Sequence, residues 1–473
     1  MKKLNILLVS LSLMGVVSCG DDFLDRKPLG QSTAGDLTEG GLQTEVYGVY
    51  EKLRRQAGVS NWTRYWFQSV RSDDATKGST ATDAAEMGTI MDNFQYTKVK
   101  GEANDNWSGH YNVIYDCNAI IDKAQNLTDN GSKINRAEAH AVRGFLFFDL
   151  RRDYGEIPLV TNPVNSPQDI IKAKSTVAQV DVQIKADLMA AAAVLPISWP
   201  GQEGRATSGM AKSYLAKLAL YQGNWGEALQ YAEEVINSGV YSLNPNYDKL
   251  FFDESDNGTE SIWEIQFSRI GGVNYSNNYW ESQGIRGAGT WDLGWGFNVP
   301  TTNLVNAYET GDKRKAATIL EEGMSDGFGN TLPTGLAQKY WNKKAYSLPS
   351  RRTIEGENKN HWTNIKIMRY ADVLLIASEA ALQSGNVAKA TTYLNMIRTR
   401  AGLGNITATL AAIKQERRVE FGMEGERFYD LVRWGDAVSV LGALGYQDKN
   451  KYYPIPQTAI DQAGGVLVQN PNY

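Results

Sequence analysis

"LALYQGNWGEALQYAEEVINSG" (residues 218–239) and "EAALQSGNVAKATTYLNMIRTRAG" (379–402) are two versions of one pattern, and that pattern decides the fold. Both contain Gly-Asn-x-x-x-Ala, with Gly223 and Gly385 in register. From each glycine the same offsets carry Trp225 or Val387, Ala228 or Ala390, and Val235 or Ile397. Gly-Asn suits a tight turn between two antiparallel helices, and the alanine lets those helices approach closely. This is the signature of a tetratricopeptide helix hairpin. Two copies far apart in the chain predict several such units, separated by insertions.

Working outward, helical periodicity is predicted at about 39–57, 104–127, 132–153, 176–195, 207–237, 365–384, 386–401 and 409–443. In 132–153, Ala137, Ala141, Phe145 and Phe148 mark one apolar face, while Ala139 and Gly144 leave room for a neighbouring helix. "YGEIPLV" (154–160) breaks that helix, because the residue before Pro158 resists helical geometry. Residues 240–364 lack a helical period and are rich in Gly, Asn, Pro and aromatics, with "ESIWEIQF" (260–267) reading as a short strand. In a repeat protein such an insertion is where functional loops are expected.

The N-terminus speaks to location. "MKKLNILLVSLSLMGVVSCG" has a basic start, then an apolar run from Leu4 to Val17 that is too short to span a bilayer, then small residues before Cys19. This is a lipoprotein signal: residues 1–18 are removed and Cys19 is lipidated. Cys117 is then the one remaining thiol, so no internal disulfide is expected, and its helical context predicts a buried, inert side chain. A net charge of −5 and the absence of a basic tract argue against nucleic-acid binding.

Recognisable catalytic chemistry is scarce. The three histidines, His110, His140 and His361, have no second His or Cys at metal-ligand spacing, and no nucleophile elbow or phosphate loop is present. No cofactor is expected. Adjacent Asp73 and Asp74 would point in opposite directions on an extended chain, so they read as loop anchors rather than a hydrolytic pair. In "ERRVEFGMEGERFYDLVRWG" (416–435), Glu416, Glu420 and Glu424 share a helical face among Arg417, Arg418, Arg427, Asp430 and Arg433. Those charges read as Arg–carboxylate ties between helices rather than as an acid/base cluster.

The segment 274–298, "NYSNNYWESQGIRGAGTWDLGWGFN", combines six aromatic rings with five glycines. Its rings follow neither a period of two nor of 3.6, which predicts a folded loop that displays them. Rings pack on the C–H faces of sugars, and amide, carboxylate and guanidinium groups satisfy the hydroxyls. Trp280 and Trp291 are therefore the expected stacking groups, with Tyr275, Tyr279, Asn277, Asn278, Gln283, Arg286 and Asp292 around them. Trp295 and Phe297 are expected to anchor the loop. Trp62 is a second candidate, whereas Trp66, Phe67, Trp225 and Trp434 read as core, and His361 with Trp362 forms a third group ahead of a helix.

Several blocks then carry a resemblance: "SCGDDFLDRKP" (18–28), "AEAHAVRGFLFFDLRRDYGEIPLV" (137–160), the two hairpins, "ERRVEFGMEGERFYDLVRWGDA" (416–437) and "YYPIPQTAID" (452–461). In that order they resemble the SusD/RagB family of outer-membrane nutrient-uptake lipoproteins over nearly the whole mature chain. The resemblance implies a mainly α fold, with four tetratricopeptide-like units forming a superhelical scaffold and a loop-rich insertion with short strands. It implies one SusD-like domain over 19–473, with repeats at about 39–240 and 365–445 and the ligand-binding insertion at about 241–364. It implies a non-enzymatic, surface-exposed, lipid-anchored binder of oligosaccharide or polysaccharide, with a SusC-like TonB-dependent transporter as partner and Asp21-Asp22 as an export signal. The family's sugar-contacting positions follow no fixed motif, so the residues above stand on their chemistry alone. A tetratricopeptide scaffold for protein partners, or a surface glycoside hydrolase, are the alternatives.

Overall fold

A computed structural model describes residues 41–99, 101–270 and 273–473. Cys19, Asp21, Asp22 and the leader lie outside the described residues. The two sequence copies form the helix hairpins Ser208–Tyr221/Trp225–Ile236 and Tyr370–Gln383/Val387–Arg400. Gly223 and Gly385 take φ of 69° and 81°, a region that costs other residues energy. The following Asn224 and Asn386 cap the second helices, accepting from the backbone N–H of Glu227 at 3.4 Å and Lys389 at 3.0 Å. Ala228, Ala390, Val235 and Ile397 are buried, so each shared position has a structural use.

The hairpins belong to one continuous stack. Helix Gly101–Ala124 packs on Asn130–Tyr154, then come Val177–Val194, Ser208–Tyr221 and Trp225–Ile236, each against its predecessor. The stack continues directly from Trp225–Ile236 onto Tyr370–Gln383 and Val387–Arg400, passing over the insertion. Ala137, Ala141, Phe145 and Phe148 are buried as one face. A β-carbon at Gly144 would lie 3.0 Å from the Leu188 side chain, which confirms the close approach expected there. Gly155, at φ 74°, ends that helix. Cys117 is free and buried, and burial pushes its thiol pKa upward. No helix among the described residues is long and apolar enough to cross a membrane.

Two helical expectations are corrected. Residues 365–369 form a strand, Ile365–Arg369, antiparallel to Ser261–Ile265; a pairing partner remote in sequence outweighs the local pattern. The stretch 409–443 is broken into Leu410–Glu420, Arg427–Trp434 and Ala437–Leu441. Gly425, at φ 87°, lies in the first break. The strand pair joins the two ends of the insertion, which otherwise contains short helices and two-stranded sheets. It also has an apolar centre of its own, including Phe252, Leu293, Leu320, Trp341 and Tyr346.

The charges of 416–435 tie this insertion to the scaffold. Glu420 meets Arg400 at 2.6 Å, Arg369 at 3.0 Å and Arg314 at 3.1 Å, while Glu416 holds Arg314 at 2.6 Å. Burial alone would raise the pKa of Glu420, but Arg400, Arg369 and Arg314 hold it well below the carboxylate range. Arg418 holds both Asp73 and Asp74, at 3.0 and 2.5 Å, and Arg427 reaches Asp73 at 2.8 Å. The two aspartates therefore face the same guanidinium, because the chain bends at 71–74 instead of running extended. Their anchoring role is as read; the opposed orientation is not.

Candidate functional site

The segment 274–298 divides between interior and surface. Tyr279 and Trp280 open the short helix Tyr279–Gln283 and are buried. Their rings meet edge-on at 4.8 Å, and the Trp280 indole N–H donates to the Thr363 carbonyl at 2.8 Å. The expectation that these two rings are displayed is corrected: their faces are covered by the protein. Gln283 is likewise internal, accepting from the side chains of Asn298 at 2.7 Å and Asn342 at 3.1 Å. Asn277 donates to the backbone oxygens of Arg54 at 2.6 Å and Ser60 at 3.0 Å, so its amide staples the loop to the end of the helix Gln43–Arg55. Asn278, just before the short helix, is half-buried.

Trp291 is half-buried and leans on Tyr346, with centroids 6.3 Å apart, beside a small cavity walled by Arg352 and Asn358. Asp292 is exposed. A tight loop is closed where Leu293 N donates to Ile285 O at 3.0 Å, with Arg286 and Asp292 bridged across it. Arg286 turns away to pair with Asp83 at 2.9 Å.

The partly exposed rings that come together are Trp62 and Trp295. Both are half-buried, and they meet edge-on with centroids 6.4 Å apart. Trp62 also packs edge-on against buried Trp66, which with Phe67 is core as expected, and Trp66 packs in turn on Phe297 at 5.3 Å. Phe297 is therefore an anchor of the loop, and Trp295, also expected to be one, packs on the margin of the core while lying in the surface patch. Polar groups surround the pair. The Trp295 indole N–H donates to Glu281 at 3.2 Å, and Glu281 is also held by Lys359 at 3.0 Å and His361 at 3.1 Å. On the other side, the Ser79 hydroxyl is shared between the Trp295 carbonyl at 2.7 Å and Asp83 at 2.9 Å.

The electrostatics follow from these contacts. The hydrogen bond from His361, helped by Lys359, lowers the Glu281 pKa to about 2 despite partial burial. Asp83 is also lowered, by hydrogen bonds from Thr80 and Ser79 and by Arg286. Glu281 is thus ionised across the physiological range, and the patch presents paired charges and hydrogen-bonding edges around two rings. Among the described residues, no group of three or more His, Cys, Asp or Glu is placed to hold a metal ion. His361 and Trp362 precede a strand rather than the expected helix; Trp362 is buried and His361 serves the patch. Sequence reading missed Glu281, Lys359, Asp83 and Ser79; apart from local contacts such as Ser79–Asp83, their partners in the patch lie 14 to 216 residues away. Of the rings expected to be core, Trp225 and Trp434 are only partly buried. Trp225 packs on the core margin and Trp434 donates to Glu379 at 2.9 Å.

The fold and the patch define a class: a helical-repeat scaffold with a large loop-rich insertion, in which Trp295 of the insertion meets Trp62 of the N-terminal part at the surface. The chain belongs to the SusD/RagB family. A family model described as "SusD family" matches residues 259–451, and one described as "Starch-binding associating with outer membrane" matches 22–220. A SusD-like protein P2 from Formosa agariphila is 28% identical over 522 aligned positions that cover 100% of both chains. A SusD-like protein from Bacteroides ovatus is 26% identical, covering 91% of this chain and 82% of its own. Among solved structures, a laminarin binding SusD-like protein aligns with a TM-score of 0.78 and 28% identity, covering 91% of this chain and 98% of that one. Surface glycan-binding protein A from Bacteroides thetaiotaomicron, in complex with laminarihexaose, aligns with a TM-score of 0.78 and 26% identity, covering 92% and 100%.

Proposed function

We propose that this protein is a cell-surface lipoprotein that binds an oligosaccharide on the Trp62–Trp295 patch and delivers it to a SusC-like TonB-dependent transporter. The observation that carries the binding step is the half-exposed pair of rings, bordered by Glu281, Lys359, His361, Arg286 and Asp83. Such a surface offers flat apolar area for a sugar's C–H face and donors and acceptors for its hydroxyls. Two related structures described as laminarin binding and as a laminarihexaose complex support a glycan as the ligand class. The family model description that places relatives at the outer membrane supports the location. In this reading residues 19–473 act as one domain, Cys19 carries the lipid, and the protein performs no hydrolysis.

The test is affinity electrophoresis of the mature protein against a panel of polysaccharides, followed by a reducing-end assay on any glycan that retards it. Retardation by at least one glycan, weakened by Trp62→Ala and without release of reducing ends, is expected. Sustained release of reducing ends at enzyme-like rates would move the protein to the hydrolases. Co-purification with a transporter, with no glycan retained, would leave a scaffold for protein partners.

A further inference from the structure

Tyr275, singled out in the sequence, does not reach the Trp62–Trp295 pair directly. It walls a separate open groove of about 440 Å³, within the ~300–1,000 Å³ common for small-molecule sites. Tyr47, on the helix Gln43–Arg55, also lines it. Both rings are open to solvent: Tyr47 is 44% exposed and Tyr275 is 42% exposed. Buried Trp263 and Ile265 line the groove between them, and Gln202 and Gln266 supply amides.

We propose that this groove is a second sugar subsite, adjoining the Trp62–Trp295 patch and engaged by neutral chains long enough to occupy both. The proposal rests on the glycan-binding reading above. Both rings are held in place before any ligand arrives. The Tyr47 hydroxyl accepts from Gln43 at 2.7 Å and donates to Gln202 at 3.2 Å, while the Arg205 guanidinium lies 5.7 Å from its centroid. Tyr275 has the Arg54 guanidinium 5.7 Å from its centroid, and that arginine donates to the Ser276 carbonyl at 2.9 Å. A fixed ring loses little freedom on binding, which favours affinity. Gly204 lies in the wall with φ 94°, and a β-carbon there would fall 2.4 Å from the Gln266 side chain, so the glycine lets that amide lie across the groove.

The charges argue for a neutral ligand. Arg54 is bound to Glu51, and Arg205 donates to Glu138 at 2.6 and 2.8 Å, so both arginines of the groove already have carboxylate partners. An anionic sugar would have to compete for them. Continuity with the first patch is also built in. Asn277 donates to Ser60, two residues before Trp62, and Asn274 contacts His361 at 3.2 Å, which in turn holds Glu281 beneath the Trp295 indole. The tyrosine groove and the tryptophan pair therefore flank one strip of linked side chains.

The experiment is calorimetric titration of the mature protein with laminari- and malto-oligosaccharides of three and six units, comparing wild type with Tyr47→Ala, Tyr275→Ala and Trp295→Ala. The tyrosine variants should lose about fivefold in affinity for the six-unit chain that binds and keep the three-unit affinity within about twofold. Both rings are exposed, so melting should be unchanged. Trp295→Ala should weaken both lengths. If the tyrosine variants leave the long chain untouched, or weaken both lengths equally, while Trp295→Ala acts as stated, the second subsite is refuted and the first stands. If Trp295→Ala is silent, the main patch is refuted and the adjoining subsite with it. Absence of binding by all four probes to the wild type likewise overturns a subsite for neutral glucan chains.

Discussion

Trp280 and Trp295 lie on the same loop, and truncating each should give opposite phenotypes. Trp280→Ala removes a ring that is 6% exposed and packed against Tyr279. Large-to-small changes of this kind cost ~3–5 kcal/mol through lost burial and the cavity left behind. The Thr363 carbonyl also loses its donor, worth ~1 kcal/mol more. Trp295→Ala removes a half-exposed ring, one hydrogen bond to Glu281 and the edge contact with Trp62, for a stability cost of about 1–2 kcal/mol. On binding the order reverses. A sugar covering roughly 40 Å² of the Trp295 face gains ~1 kcal/mol from area, and the ring contact adds ~1 kcal/mol. Losing ~2 kcal/mol is a roughly thirtyfold drop in affinity. Urea unfolding followed by calorimetry with a glycan retained in electrophoresis measures both quantities on the same preparations. The reasoning fails if Trp280→Ala weakens binding tenfold with stability intact, or if Trp295→Ala leaves affinity unchanged.

Replacing Cys19 with Ala should shift the protein from the membrane pellet to the soluble fraction; a variant that still resists extraction would refute the lipid anchor. Arg418→Met leaves Asp73 and Asp74 with Arg427 as their one remaining arginine partner and should cost ~3–5 kcal/mol in urea unfolding; a change under ~1 kcal/mol would show that Arg427 alone suffices. Gly385→Ala imposes a side chain at φ 81° and should destabilise by about 1 kcal/mol, measured the same way, with glycan affinity unchanged. Because Glu281 has a folded pKa of about 2 against an ordinary 4.5, its contribution to stability is complete above about pH 4.5 and is lost as pH falls toward 2. Glu281→Gln should flatten the stability profile over that interval, and parallel profiles for variant and wild type would contradict the linkage.

The helical scaffold was legible because its instructions are local. A glycine that permits φ > 0, an asparagine that caps the next helix and an alanine at the crossing all lie within six consecutive residues. The charged run at 416–435 was also legible in kind, since buried guanidinium and carboxylate groups require each other. The aromatic loop was legible only in part. Composition reported a folded piece with rings, but which ring faces outward is decided by contacts from elsewhere: Thr363 beneath Trp280, Trp62 beside Trp295, Asn298 and Asn342 on Gln283. Tyr47 gave no signal, because one exposed tyrosine on an amphipathic helix is ordinary until Tyr275 is brought into the same groove. The strand Ile365–Arg369 was missed for the same reason, its partner being Ser261–Ile265.

The uninterrupted stack has a consequence for how the chain is made. Helix Trp225–Ile236 finishes its packing only against Tyr370–Gln383, yet the entire insertion is synthesised between them. Until the later helix arrives, Trp225–Ile236 has only one of the two neighbouring helices it packs against. Pairing partners so distant slows folding and prolongs the exposure of apolar surface. The stack is therefore complete only once the C-terminal third has been made, so the last interface of the N-terminal repeats depends on chain synthesised well after them.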